Sequence, residues 1–164
     1  MRIVNGMENE SFWEDIKLIK TDQSLLRTLG FSSQDISVLS GKGLPEWAAP
    51  NMNFDIFEPS VGRLKLGEDR DDQDIFISLN TFKVLFSDRE LLVNSSVQQF
   101  RGTLKVYAQM IDNAIEVDEE SVISNTIPRQ LINSFATELA QLDPLAALPG
   151  TFWMNEVQRL LTSK

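Results

Sequence analysis

MNFDIFEPSVGRLKLGEDRDDQDIFISLNTFKVLF, residues 52–86, is where the apolar pattern of the chain shifts from the helical spacing of about 3.6 residues to the strand spacing of about 2. Met52, Phe54 and Ile56 alternate with polar neighbours, as do Leu64 with Leu66, then Ile75, Ile77 and Leu79, then Phe82, Val84 and Phe86. Leu91 to Val93 adds a last short run. The intervening gaps are short and carry Gly, Pro, Asp or Asn, so they suit hairpins and are too short for the crossover helices of a parallel sheet. The stretch predicts an antiparallel meander, within a sheet of about four to six strands.

Outward from the meander the spacing is helical on both sides. Phe12, Trp13, Ile16 and Ile19 predict an opening helix near residues 10–20. Asp22 or Ser24 suits the start of a short helix carrying Leu25, Leu26 and Leu29, stopped by Gly30. Ser33 suits the cap of another with Ile36 and Leu39, stopped by Gly41. Beyond the meander, Ser95 and Gln98 have capping-box spacing. Val97, Phe100, Leu104, Tyr107, Ala108, Ile111 and Ile115 then make one apolar stripe, predicting a helix near 96–115 laid on the sheet. Pro128 starts the next, with Leu131, Ile132, Phe135, Leu139 and Leu142 inward. Thr151 suits the cap of a closing helix with Trp153, Val157, Leu160 and Leu161 inward. No repeat or Pro/Gly/Ser-rich linker interrupts residues 1–164, so the expectation is one α+β domain with N-terminal and C-terminal helices flanking the sheet.

Two missing residue types narrow the chemistry. The chain has no Cys and no His. Disulfides and nitrogen–sulfur zinc sites are therefore excluded, and with them Ser-His-Asp and Cys-His catalysis. Carboxylate, Lys, Tyr and Mg²⁺ chemistry survive that filter. The opening residues lack an apolar core of secretory length, and no run of about 18 apolar residues is present, so a soluble cytoplasmic protein is expected. Net charge is −9, and it is uneven: residues 67–164 hold eight Lys/Arg against fifteen Asp/Glu. Such a surface repels phosphate, which speaks against direct nucleic-acid binding, and attracts a basic partner; it also simply keeps a protein soluble.

The carboxylates cluster in two runs. Glu68, Asp69, Asp71, Asp72 and Asp74 stand between two predicted strands. A calcium-binding EF-hand loop needs Gly where Asp74 stands and Glu where Asn80 stands, so a solvated hairpin tip or an acidic surface for a basic partner is left. Asp112, Glu116, Asp118, Glu119 and Glu120 stand without a base; those near a helix C-terminus oppose the macrodipole, which hints at a use elsewhere. Ser40-Gly41-Lys42-Gly43 looks phosphate-cradling, but a P-loop needs Gly at position 36 and Ser or Thr at 43, where Ile36 and Gly43 stand. Asn94-Ser95-Ser96 reads as helix capping rather than anion binding. Trp13, Trp47 and Trp153 sit among apolar residues and read as core or rim.

The Gly43-Leu44-Pro45 turn after short helices, the alternations Asp74-Ile75-Phe76-Ile77 and Phe82-Lys83-Val84, and Leu92-Val93-Asn94-Ser95-Ser96-Val97-Gln98-Gln99-Phe100 together resemble the fourth group of the SUKH superfamily of immunity proteins. Ile127-Pro128, Leu142-Asp143-Pro144 and Gly150-Thr151-Phe152-Trp153 extend the likeness, which covers roughly residues 22–162. The Gly common in the turn before the Phe82 strand is replaced by Asn80-Thr81, which still turns because Asn tolerates positive φ. The resemblance implies a SUKH-like α+β fold and a protein that binds and neutralises a cognate bacterial toxin, commonly a nuclease or deaminase. It carries over no contact residue, because binding surfaces in the superfamily vary with the toxin.

Three readings follow. The first is an immunity protein acting by occlusion of a basic protein toxin, with Glu68, Asp69, Asp71, Asp72, Asp74, Glu116, Asp118, Glu119 and Glu120 as candidate contacts. The second is a regulatory or scaffold domain of the same fold binding a signalling or cell-envelope partner, and the third a Mg²⁺-dependent carboxylate hydrolase. The first is the expectation adopted: not an enzyme, with no catalytic residue, metal ligand, cofactor or membrane contact assigned.

Overall fold

A computed structural model describes residues 13, 15–124 and 126–162. Among the described residues the first element is a strand, β1 (Leu18–Ile19), where the apolar spacing predicts helix. Phe12 and most of the first half of that expected helix lie outside the described residues. β1 pairs antiparallel with β2 (Leu44–Pro45), which lets Ile19 reach the core; tertiary pairing overrides local spacing. Between them run α1 (Gln23–Leu29), ended at Gly30, and α2 (Ser33–Ile36), which continues as a π-helical turn over Ser37–Lys42. Ser32, one residue earlier than expected, caps α2 by accepting from the Asp35 N–H at 3.1 Å. The helical run stops at Gly43 rather than Gly41. Gly43 is required there: φ is 81°, and a Cβ would lie 2.9 Å from the Ile19 carbonyl oxygen.

The meander forms as the alternation predicts, with one more strand at its edge. β3 (Trp47–Ala48), β4 (Met52–Ser60), β5 (Arg63–Asp69), β6 (Asp74–Ser78), β7 (Val84–Phe86) and β8 (Leu91–Asn94) pair in chain order, every pair antiparallel. Two bulges reset the alternation. Between Phe54 and Glu58 the register shifts, so Ile56, expected inside, is 76% exposed, and Phe57 is buried instead. A second shift, in the pairing of β5 with β6, falls between Lys65 and Gly67; on its other side Gly67 faces β4, where a Cβ would lie 2.1 Å from the Asn53 carbonyl oxygen. Each bulge moves later side chains to the opposite face. Phe82, read as a strand residue, sits at φ 62° in the turn before β7 and packs edge-on against Phe31.

α3 (Val97–Val117) buries Val97, Phe100, Leu104, Tyr107, Met110 and Ala114. The expected stripe drifts toward its C-terminal end, where Ile111 is half-buried and Ile115 exposed. Its cap is Ser96, which accepts from the Gln99 N–H at 3.2 Å, one residue beyond the predicted box. α4 (Glu119–Ile123) is short. α5 (Arg129–Leu142) follows Pro128 as expected, buries Ile132, Phe135 and Leu139, and leaves Leu142 36% exposed. After a 3₁₀ turn at Pro144–Ala147, α6 (Phe152–Thr162) turns Trp153, Val157 and Leu160 inward. Tyr107, Phe135 and Trp153 meet with centroids 5.3 to 5.7 Å apart. Each such fully buried side chain contributes about 2–3 kcal/mol of apolar transfer energy.

A buried polar network joins the sheet to the C-terminal helices. The Asp143 carboxylate accepts from the Asn94 amide at 3.0 Å and from the Ser95 N–H and hydroxyl, both at 2.7 Å. Asn94 Oδ1 accepts from the Trp153 indole N–H at 2.9 Å. The Asn94 amide also donates to Thr103, whose hydroxyl donates to the Gln99 carbonyl. Asn94 and Ser95, read from sequence as helix caps, hold the tertiary structure together instead.

Candidate functional site

Register across the first half of the sheet assembles a ladder that no single segment contains. Trp47 faces Asn53, Asn53 faces Glu68, and Glu68 faces Asp74, so these four side chains share one sheet face. The same side of β4 and β5 carries a cleft of about 690 Å³. Its lining includes Glu46, Asp55, Glu58, Glu68, Asp69 and Asp72, six carboxylates against the two bases Lys65 and Arg70. Asn53, Phe54, Ile56, Leu66 and Gly67 complete it. Both bulges shape it: the first exposes Ile56 there, and the second turns Lys65 and Glu68 to the same side.

Lys65 is already engaged. Its ammonium lies 2.6 Å from Glu68 and 3.4 Å from Asp74, and the hydrogen bond to Glu68 is the main reason its pKa is raised. Asp69 is a turn-former: its Oδ1 accepts from the N–H groups of Asp71 and Gln73, both at 2.9 Å. Asp71 and Asp72 are exposed at the hairpin tip. The first acidic run is thus a solvated hairpin whose Glu68, Asp69 and Asp72 also face a concave surface. With the negative charges on one concave side, their fields add over the opening.

The second run lies elsewhere. Glu116 is in the last turn of α3, and Asp118 stands between α3 and α4, accepting from the Glu120 N–H at 3.1 Å. Glu119 and Glu120 are in the first turn of α4, where negative charge is favoured; the expected macrodipole cost falls on Glu116 and on Asp118, the residue that ends α3. None of these four residues lines the cleft. Reading from sequence missed Glu46, Asp55 and Glu58, each isolated in the chain. The available signal was register: Asn53 and Asp55 alternate outward on β4, and a hairpin of this length sets them opposite the first run.

Among the described residues, no group of three carboxylates converges as a metal site would, and no helix is long and apolar enough to cross a membrane. The geometry offers an acidic concavity with one exposed apolar residue, Ile56, which is the chemistry of recognition. Compared with known families, residues 8–159 match the family model described as SUKH-4 immunity protein. The chain belongs to the SUKH-4 immunity protein family. No curated protein and no solved structure matches it. A SUKH-4 immunity protein neutralises a toxin rather than catalysing a reaction, so its partner is a cognate toxin. The antiparallel sheet with mainly C-terminal helices is the α+β architecture expected from the resemblance.

Proposed function

We propose that this SUKH-4 protein neutralises its toxin in the cytoplasm by stoichiometric occlusion, laying the acidic cleft of β3–β5 over a basic surface with which the toxin engages nucleic acid. One observation carries the reading: six carboxylates, four on β4 and β5 and two in the flanking turns, line one concavity whose lysine is already paired. Toxins that cut or deaminate nucleic acid need cationic surfaces to hold phosphate, and an acidic protein competes for those surfaces. Exposed Ile56 supplies an apolar contact within the charged field.

The test is co-expression with the cognate toxin, followed by stopped-flow association of the purified pair. A cleft variant, Glu46→Gln/Glu58→Gln/Asp72→Asn, removes three charges. A control variant, Glu116→Gln/Glu119→Gln/Glu120→Gln, removes the same number from the second run. The expected result is protection of growth by the native protein, with association slowed about tenfold or more in the cleft variant and far less in the control. Equal slowing in both would show that overall charge, not the cleft, does the steering. Absence of protection and of a complex would overturn the proposal.

A further inference from the structure

Between β3 and α3 lies a smaller groove of about 250 Å³ with a different character from the cleft. Trp47, Ala48 and Ala49 form one wall, and Ala108, Ile111 and Asp112 of α3 the other. Its volume is below the range of about 300–1,000 Å³ usual for small-molecule pockets, and suits one long side chain. Trp47 is 50% exposed and has no aromatic or cationic partner among the described residues. Trp13, also in the lining, differs: the Arg101 guanidinium and the Lys105 ammonium lie 5.1 and 5.5 Å from its ring centroid. Asp112 is the one charged residue in the lining, and it makes no hydrogen bond or ion pair among the described residues. Partial burial, then the nearby charge of Glu116, push its carboxyl above the usual range. A cation placed there relieves both effects.

We infer that this groove is an anchor site for an arginine side chain of the partner, its guanidinium stacked on Trp47 and paired with Asp112. An apolar wall of alanines suits the aliphatic stem, an exposed indole suits the planar head, and an unpaired carboxylate at the rim suits the charge. Trp47 of the groove stands opposite Asn53 of the cleft in the strand register, and Asn53 stands opposite Glu68. The inference rests on the occlusion reading and adds to it: the cleft gathers a basic partner, and the groove selects arginine within it.

The test uses the full chain and a capped peptide of alternating arginine and glycine, with citrulline and lysine counterparts as controls. Binding is followed by the Trp47 indole and Ala108 amide resonances. The arginine peptide is expected to shift both and saturate, while the citrulline and lysine peptides bind at least about fivefold more weakly. Trp47→Ala and Asp112→Asn are each expected to weaken the arginine peptide by at least about fivefold; loss of charge without loss of shape in Asp112→Asn keeps the test independent of folding. Equal binding of the three peptides, or shifts confined to the cleft, would overturn the assignment. So would shifts that depend on protein concentration without peptide, which would name a second copy as the occupant. If Trp47→Ala binds the toxin normally while the cleft variant is slowed, the groove assignment fails and occlusion stands; the reverse pattern leaves the groove and removes the cleft.

Discussion

Replacing Asp143 by Ala strands three donors at once: the Asn94 amide, the Ser95 N–H and the Ser95 hydroxyl. Asn94 and Asp143 are almost fully buried, so water cannot compensate the loss. Asp143→Ala is expected to cost about 3 kcal/mol or more in a urea titration; a loss below about 0.5 kcal/mol would show that the network adds no stability. A second buried carboxylate works in the opposite direction. Burial raises the pKa of Asp35, more than its hydrogen bond with Ser32 lowers it. A raised acid pKa means the folded state holds the proton more tightly than the unfolded one, so stability falls as pH rises from the ordinary carboxylate value of 3.8 through the folded value. Asp35→Asn should therefore raise the melting temperature at neutral pH, and the gain should vanish below about pH 3.8, where both states of Asp35 are protonated. An equal gain at all pH values would place its cause elsewhere.

At the scale of the element, the bulge in β4 decides which of two neighbours is structural. Simple alternation from Met52 and Phe54 puts Ile56 inside, whereas the register shift buries Phe57. Phe57→Ala is expected to cost about 3–5 kcal/mol and Ile56→Ala less than about 0.5 kcal/mol, measured by chemical denaturation; the opposite ranking would deny the bulge. The same shift explains what the sequence could tell and what it could not. Apolar spacing locates β4 to β8 and the three longest helices, because burying a face imposes that spacing. It does not reveal an inserted residue, since Ile56 and Phe57 are both apolar. Nor does it reveal β1, whose residues keep helical spacing but gain more from pairing with Leu44 and Pro45. Asn94 and Ser95 look like caps because a cap and a tertiary hydrogen bond use the same polar atoms. The partner Asp143 lies 49 residues from Asn94 in the chain.

For the whole molecule, uneven charge becomes uneven geometry. The acidic hairpin is visible in the sequence, but half of the cleft's carboxylates arrive singly, from Glu46, Asp55 and Glu58, and only strand order gathers them. Association with the toxin is expected to slow by about tenfold between roughly 0.02 and 0.2 M salt, while dissociation changes little, because screening weakens the approach more than the packed contact. A salt-independent association rate would remove the electrostatic part of the proposed function. The buried network also has a consequence for timing. Every residue lining the cleft lies within positions 46–72, whereas the Asp143 and Trp153 that lock β8 are synthesised long afterwards. A chain still on the ribosome can pair its hairpins locally, yet Asn94 waits for partners that lie 49 and 59 residues further along. Strains that stall translation before codon 143 would thus hold an acidic hairpin surface on a body that proteases still read as unfinished.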